Sequence, residues 1–222
     1  MNPRGYAYSV IGSRELNQDA YLIENERGLY AIADGVGGGV KGEVASGMAV
    51  SLFKDLAPKE GSLTPTIERL QEEVFEESIR LLGEPLMGTT FTGLRIVGDR
   101  ATLCHVGDSR CYLFSGGRLK QLTVDHEAFE ESFQSPVLAS YLGIPEDLYP
   151  LQVQEEVVQI APTDLLLLCT DGLYRQVLEP EMVSLINRVH QKSVEDIPEQ
   201  LCRVAETDPF SDNITVILIY FP

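Results

Sequence analysis

The stretch from residue 29 to residue 82, LYAIADGVGGGVKGEVASGMAVSLFKDLAPKEGSLTPTIERLQEEVFEESIRLL, decides the fold class of this 222-residue chain. It opens on an apolar run, Leu29–Ala33, that reads as a strand ending at Asp34-Gly35. Gly37-Gly38-Gly39-Val40-Lys41-Gly42 then fits GxGxxG and leads into a helix, Glu43–Leu56, as a dinucleotide fingerprint does. Two features count against a nucleotide. Asp34 would set a carboxylate beside the pyrophosphate, and a second helix stands where a dinucleotide fold needs a parallel strand. That helix has Thr64 as cap and Pro65 at its first helical position. Its apolar residues Ile67, Leu70, Val74, Phe75, Ile79 and Leu82 keep helical spacing, and glutamates cover the other faces. No GxxxxGK[ST] phosphate loop exists either, since Gly42 follows Lys41. A helix pair after a strand, instead of strict β-α alternation, points to an α+β protein.

Outward from this stretch the pattern repeats. Short strands, Ala7–Ile11 and Ala20–Glu24, precede it. A β-rich block follows, Thr89–Val97, Ala101–Val106, Cys111–Phe114 and Leu119–Leu122, with Gly98-Asp99 and Gly116-Gly117 at hairpin turns. An irregular segment leads to strands Gln152–Gln159 and Leu165–Cys169, helices near Glu181–Val189 and Glu199–Ala205, and a closing strand Ile214–Tyr220. Mostly antiparallel sheets packed on each other, with the helix pairs outside, would bury all these faces. No linker, low-complexity tract or repeat divides the chain, so one domain over 1–222 is expected.

The balance of 34 acidic against 17 basic residues gives a formal charge of −17, which repels nucleic acid and anionic membrane. Carboxylates clustered in a fold need a counter-charge, and divalent cations are suitable ligands. No basic stretch followed by an apolar core opens the chain, and apolar runs such as Leu165–Cys169 are too short to cross a bilayer. Cys104, Cys111, Cys169 and Cys202 lack CxxC spacing and read as small buried hydrophobes of a reducing compartment. A cytoplasmic protein is expected. His105, His126 and His190 are too far apart in sequence for an HExxH site and read as structural; there is no GxSxG elbow.

The chemistry lies in five aspartates at strand ends. Asp34-Gly35 follows Leu29–Ala33, Gly107-Asp108-Ser109 follows Ala101–Val106, and Asp171-Gly172 follows Asp164–Thr170. Asp212-Asn213 precedes Ile214–Tyr220, and Asp19 precedes Ala20–Glu24. Any one of them alone is an ordinary turn residue. Five carboxylates at rigid strand ends are a way to fix oxygen ligands for hard cations such as Mg²⁺ or Mn²⁺.

These residues resemble the PP2C-type, metal-dependent protein phosphatase family, whose motifs occur here in order. Arg14-Glu15-Leu16-Asn17-Gln18-Asp19-Ala20 is similar to RxxNxDA, Ala33-Asp34-Gly35-Val36-Gly37-Gly38 to ADGxGG, and Met87-Gly88-Thr89-Thr90 to MGTT. Val106–Arg110 matches VGDSR, Leu122–His126 matches LTxDH, Cys169–Leu173 matches C[ST]DGL, and Ser211–Thr215 matches SDNIT. The resemblance implies a four-layer α-β-β-α sandwich with a cleft at one end of the two sheets. It implies that Asp34 bridges two Mn²⁺ or Mg²⁺ ions, with the Gly35 carbonyl on one, Asp171 and Asp212 completing the other, and Asp19 acting through waters. A third, weaker cation would use Asp108 with Asp171. Two such cations lower the pKa of a bridging water, and the hydroxide attacks phosphorus in line. Arg14, whose fork binds two phosphate oxygens, would hold the substrate, a phosphoserine or phosphothreonine protein. No organic cofactor is implied.

Two departures from the family pattern stand out. Gly39 occupies the place of a histidine that is a candidate proton donor, and only seventeen residues, His126 to Leu142, separate Asp125 from Gly143, where a longer flap is usual. The expected function is therefore a cytosolic serine/threonine phosphatase, acting as a monomer on the substrates of a kinase. The alternatives are a catalytically weak sensor or phosphoprotein-binding module on the same fold, and a two-metal nuclease. All five aspartates remain, against the first, and a basic groove is absent, against the second.

Overall fold

The computed structural model describes residues 2–36, 40–130, 134–145, 150–190 and 193–222. Two five-stranded sheets form its centre. The first joins β1 (Arg4–Val10), β12 (Ile214–Tyr220), β11 (Leu165–Cys169), β6 (Arg110–Ser115) and β7 (Arg118–Gln121), in that spatial order. The second joins β10 (Gln154–Gln159), β5 (Arg100–Val106), β4 (Phe91–Val97), β3 (Leu29–Asp34) and β2 (Asp19–Glu24). Every pairing within them is antiparallel.

The central strands are apolar on both faces because both faces are covered. In β11, Leu165, Leu167 and Cys169 pack against helices α4 (Glu179–His190) and α5 (Ile197–Ala205), while Leu166 and Leu168 face the other sheet. In β3, Leu29, Ala31 and Ala33 meet helices α1 (Gly42–Leu56) and α2 (Thr64–Leu82), while Tyr30 and Ile32 face the opposite sheet. Three apolar layers therefore separate four structural layers, and the α-β-β-α sandwich is observed. Phe53 of α1 meets Phe91 of β4 edge-on, ring centroids 5.1 Å apart. Such a pair contributes about 0.5–1.5 kcal/mol beyond its buried area. All four cysteines are free and buried. No described helix is long and apolar enough to cross a membrane.

Local details differ from the sequence reading where a distant residue intervenes. Thr64 is not the cap of α2 but its first residue, after Leu63. The exposed amides of that first turn are met by Glu155 of β10. Its Oε2 accepts from the backbone N–H of Leu63 (3.0 Å) and of Thr64 (2.8 Å), and from Thr64 Oγ1 (2.6 Å). A carboxylate at a helix N-terminus satisfies orphan donors and the helix dipole together. The segment read as irregular forms a hairpin instead, β8 (Glu127–Glu130) with β9 (Ser135–Leu138). It stands where the longer flap was expected to be missing. A short helix, α3 (Asp171–Tyr174), begins directly at the end of β11, where no helix was expected.

Candidate active site

The chain ends of these strands converge at one end of the sandwich. Asp19 and Asp34 are cross-strand partners on β2 and β3. The β5–β6 loop brings Asp108, α3 starts with Asp171, and Asp212 stands before β12. A cleft of about 600 Å³ opens here, with Arg14, Asp34, Gly35, Asp108, Asp171, Arg175 and Asp212 among its lining residues. The sequence-derived site residues are thus brought together, with Asp19 set behind the cleft wall rather than on it.

Each carboxylate is positioned by residues of the neighbouring motifs. The backbone N–H of Asp34 donates to Thr90 Oγ1 (3.0 Å), and its carbonyl accepts from Thr90 N (2.8 Å) and Thr89 Oγ1 (2.9 Å). Asp19 Oδ2 accepts from Thr215 Oγ1 (2.6 Å) and Thr170 Oγ1 (3.0 Å), which lie in the other sheet's motifs. Asn213 ties the loop that carries Arg14 to β12, since its Nδ2 donates to the carbonyls of Ile11 (2.8 Å) and Leu16 (3.0 Å). His126 braces the Asp108 loop from both sides: its Nδ1 accepts from Gly107 N–H (3.1 Å) and its own N–H donates to the Gly107 carbonyl (2.8 Å). Burial lowers the pKa of His126, which suits a neutral accepting nitrogen. His105 is also structural, held by Thr92 and the Val124 carbonyl, with burial pushing its pKa to about 3. His190's side chain and Gly39 lie outside the described residues.

The electrostatics single out this cluster. Burial first, and then Asp19, Asp171, Asp108 and Asp212, push the Asp34 carboxyl well above the usual carboxylate range. Asp34 is the group that faces all four others. Burial and the neighbouring aspartates raise Asp19 to about 7, although two threonine hydroxyls oppose the shift. Asp171 rises to about 6, chiefly by burial and by Asp108, with Arg175 opposing the shift. Such strain calls for positive charge. Two arginines supply part of it: Arg14 Nη2 donates to Asp212 Oδ2 (2.6 Å), and Arg175 reaches Asp171 Oδ2 (2.8 Å) and Asp108 Oδ2 (3.2 Å).

The donor set fits hard divalent cations. Asp19 Oδ1 and Asp171 Oδ1 are buried without a hydrogen-bond partner, so a cation there would satisfy two orphaned anionic oxygens. Gly35 lets the chain pass close to α1, for a Cβ there would stand 2.5 Å from the backbone of Gly42. Among the described residues no three acidic, histidine or cysteine side chains close around one point as a finished cage. That agrees with Mg²⁺-type sites, which use one or two carboxylates and fill the remaining positions with water and other oxygens.

Sandwich, cleft and buried aspartates together define a metal-dependent phosphatase class. The sequence profile described as stage II sporulation protein E, SpoIIE, matches residues 24–222, and the chain belongs to this PP2C-type phosphatase family. It is 32% identical to the serine/threonine phosphatase Stp of Listeria welshimeri, across 92% of this chain and 89% of that protein. The structure superimposes on PppA of Pseudomonas aeruginosa with a TM-score of 0.86 at 28% identity, covering 99% of this chain and 98% of that one. It also superimposes on the catalytic domain of the phosphatase PstP, solved with two manganese ions, with a TM-score of 0.81 at 26% identity over 98% and 97% of the two chains.

Proposed function

We propose that this chain removes phosphate from phosphoserine or phosphothreonine proteins in a reaction that depends on Mn²⁺ or Mg²⁺ held by Asp34 and the strand-end aspartates around it. The observation that carries the reading is Asp34, half-buried on the cleft wall and facing four other aspartates. Asp34, the Gly35 carbonyl, Asp171 and Asp212 would hold the cations, with Asp34 as the ligand they would share and Asp19 set behind them. Asp108 faces Asp171 across Arg175, whose guanidinium reaches both carboxylates. Divalent cations in such a site make bound water acidic and offset charge on the phosphoryl group.

The protein's own groups bind and orient. Arg14 lines the cleft at its mouth and, with its side chain 53% exposed, is free to turn from Asp212 to a phosphate. Arg14→Ala raises KM by about tenfold or more, since a hydrogen bond to a charged group contributes about 1.5–3 kcal/mol. Arg14→Lys restores little, because an ammonium cannot reproduce the bidentate fork. Unchanged KM in Arg14→Ala would remove it from phosphate binding.

The raised carboxylate pKa values set the pH dependence of metal loading. A ligand must be ionised, and Asp19 at about 7 and Asp171 at about 6 are partly protonated in the metal-free protein near neutrality. Mn²⁺ affinity therefore falls as pH drops through 7 towards 6, and binding at neutral pH releases protons. Calorimetry in buffers of different ionisation enthalpy reads that release directly. A buffer-independent enthalpy at pH 6.5 would contradict the assignment.

Phosphate release from a phosphothreonine peptide, with supercoiled DNA as the alternative substrate, tests the function itself. The peptide is hydrolysed in Mn²⁺ and the DNA stays intact; the reverse would favour a nuclease. A cytoplasmic monomer opposing a serine/threonine kinase is the setting we infer, supported by four free buried cysteines that suit a reducing compartment.

A further inference from the structure

Arg175 was not among the residues singled out by sequence, yet it is the cation most deeply engaged with the cluster. Its guanidinium meets three carboxylates from three different elements. Nε donates to Asp171 Oδ2 at 2.8 Å, and Nη2 donates to Asp108 Oδ2 at 3.2 Å and to Glu127 Oε1 at 3.1 Å. Asp171 opens α3, four residues before Arg175, so helical spacing brings the two together. Asp108 comes from the β5–β6 loop and is 7% exposed, and Glu127 opens the β8–β9 hairpin. The neighbouring Tyr174 adds its hydroxyl to the same Asp108 Oδ2 at 3.3 Å.

We infer that Arg175 stands in for a third divalent cation: its fixed positive charge bridges Asp108 and Asp171, so the protein loads two metal ions and not three. The inference rests on the phosphatase reading and concerns the composition of the same site. A metal ligated by both aspartates would sit beside a guanidinium that already holds one oxygen of each and never loses its proton. The arrangement also links charge to shape. The bond to Glu127 ties the hairpin beside the cleft to the Asp108 loop, a tie that a hydrated ion would not provide with the same planar fork.

Equilibrium dialysis against millimolar Mn²⁺ with elemental analysis, alongside calorimetry, tests this without relying on turnover. Wild type holds two Mn²⁺ per chain, as in the PstP structure solved with two manganese ions. Arg175→Ala gains a third, weaker Mn²⁺, and Arg175→Ala/Asp108→Asn loses it again. Asp108→Asn alone stays at two, and this arm decides the matter if Arg175→Ala fails to fold. A third Mn²⁺ in wild type that disappears in Asp108→Asn overturns the inference. So does a folded Arg175→Ala that remains at two. A chain that binds no Mn²⁺ overturns the phosphatase reading along with it, whereas the other two contrary results overturn this inference alone.

Discussion

Asp34→Asn is expected to lose phosphatase activity by at least about 10²–10³-fold, the range for deleting a single preorganised charge-stabilising group. The physical reason is its position. Asp34 is the carboxylate that senses Asp19, Asp108, Asp171 and Asp212 at once, so a charge change there alters the whole cluster. As the proposed shared ligand it would serve two cations, while Asp212 meets Arg14 and Asp171 and Asp108 each give one oxygen to Arg175. An amide is nearly isosteric, and the backbone bonds from Thr89 and Thr90 that hold residue 34 do not involve its side chain. The variant should therefore fold. Removing one buried anion from a crowded set also relieves repulsion, so its metal-free form should melt no lower than wild type. The checks are turnover of a phosphothreonine peptide and Mn²⁺ stoichiometry by calorimetry. Unchanged stoichiometry, or activity within threefold of wild type, would refute the shared-ligand assignment.

Much of the frame was readable from local pattern. The rejection of the glycine-rich dinucleotide reading rested on α2 following α1, and both helices are present. The aspartates were recognisable because strand ends and glycines punctuate the sequence clearly. What escaped was carried by residues distant in sequence. Glu155 caps α2 from 91 residues away, so no local signal at Thr64 could reveal it. Thr170 and Thr215 orient Asp19 from 151 and 196 residues away, although both stand inside motifs already noted. Arg175 lies four residues beyond Asp171, just past a helix too short for periodicity to show. The β8–β9 hairpin was missed because its strands are four residues each and β8 is mostly exposed, leaving no alternating apolar face there.

The motif residues also divide into two groups that sequence alone does not separate. Arg110 makes a bidentate pair with Asp125 and lies 3.6 Å from the Tyr174 ring centroid, so these charged residues brace the floor of the site instead of lining it. Asn213 and His126 hold the loops that bear Arg14 and Asp108. Loss of any of these would displace a reactive group, whereas loss of Asp34 removes one.

Metal removal gives the most direct test, because the buried aspartates have no other proposed use. The protein, stripped by exhaustive chelation and then freed of chelator, is assayed for phosphate release from a phosphothreonine peptide across a Mn²⁺ titration. The expected result is no turnover above background in the stripped protein and full recovery as Mn²⁺ is restored, with Ca²⁺-free Mg²⁺ also effective. Full turnover in the stripped protein, with elemental analysis confirming that it holds no metal, would contradict the account at its centre.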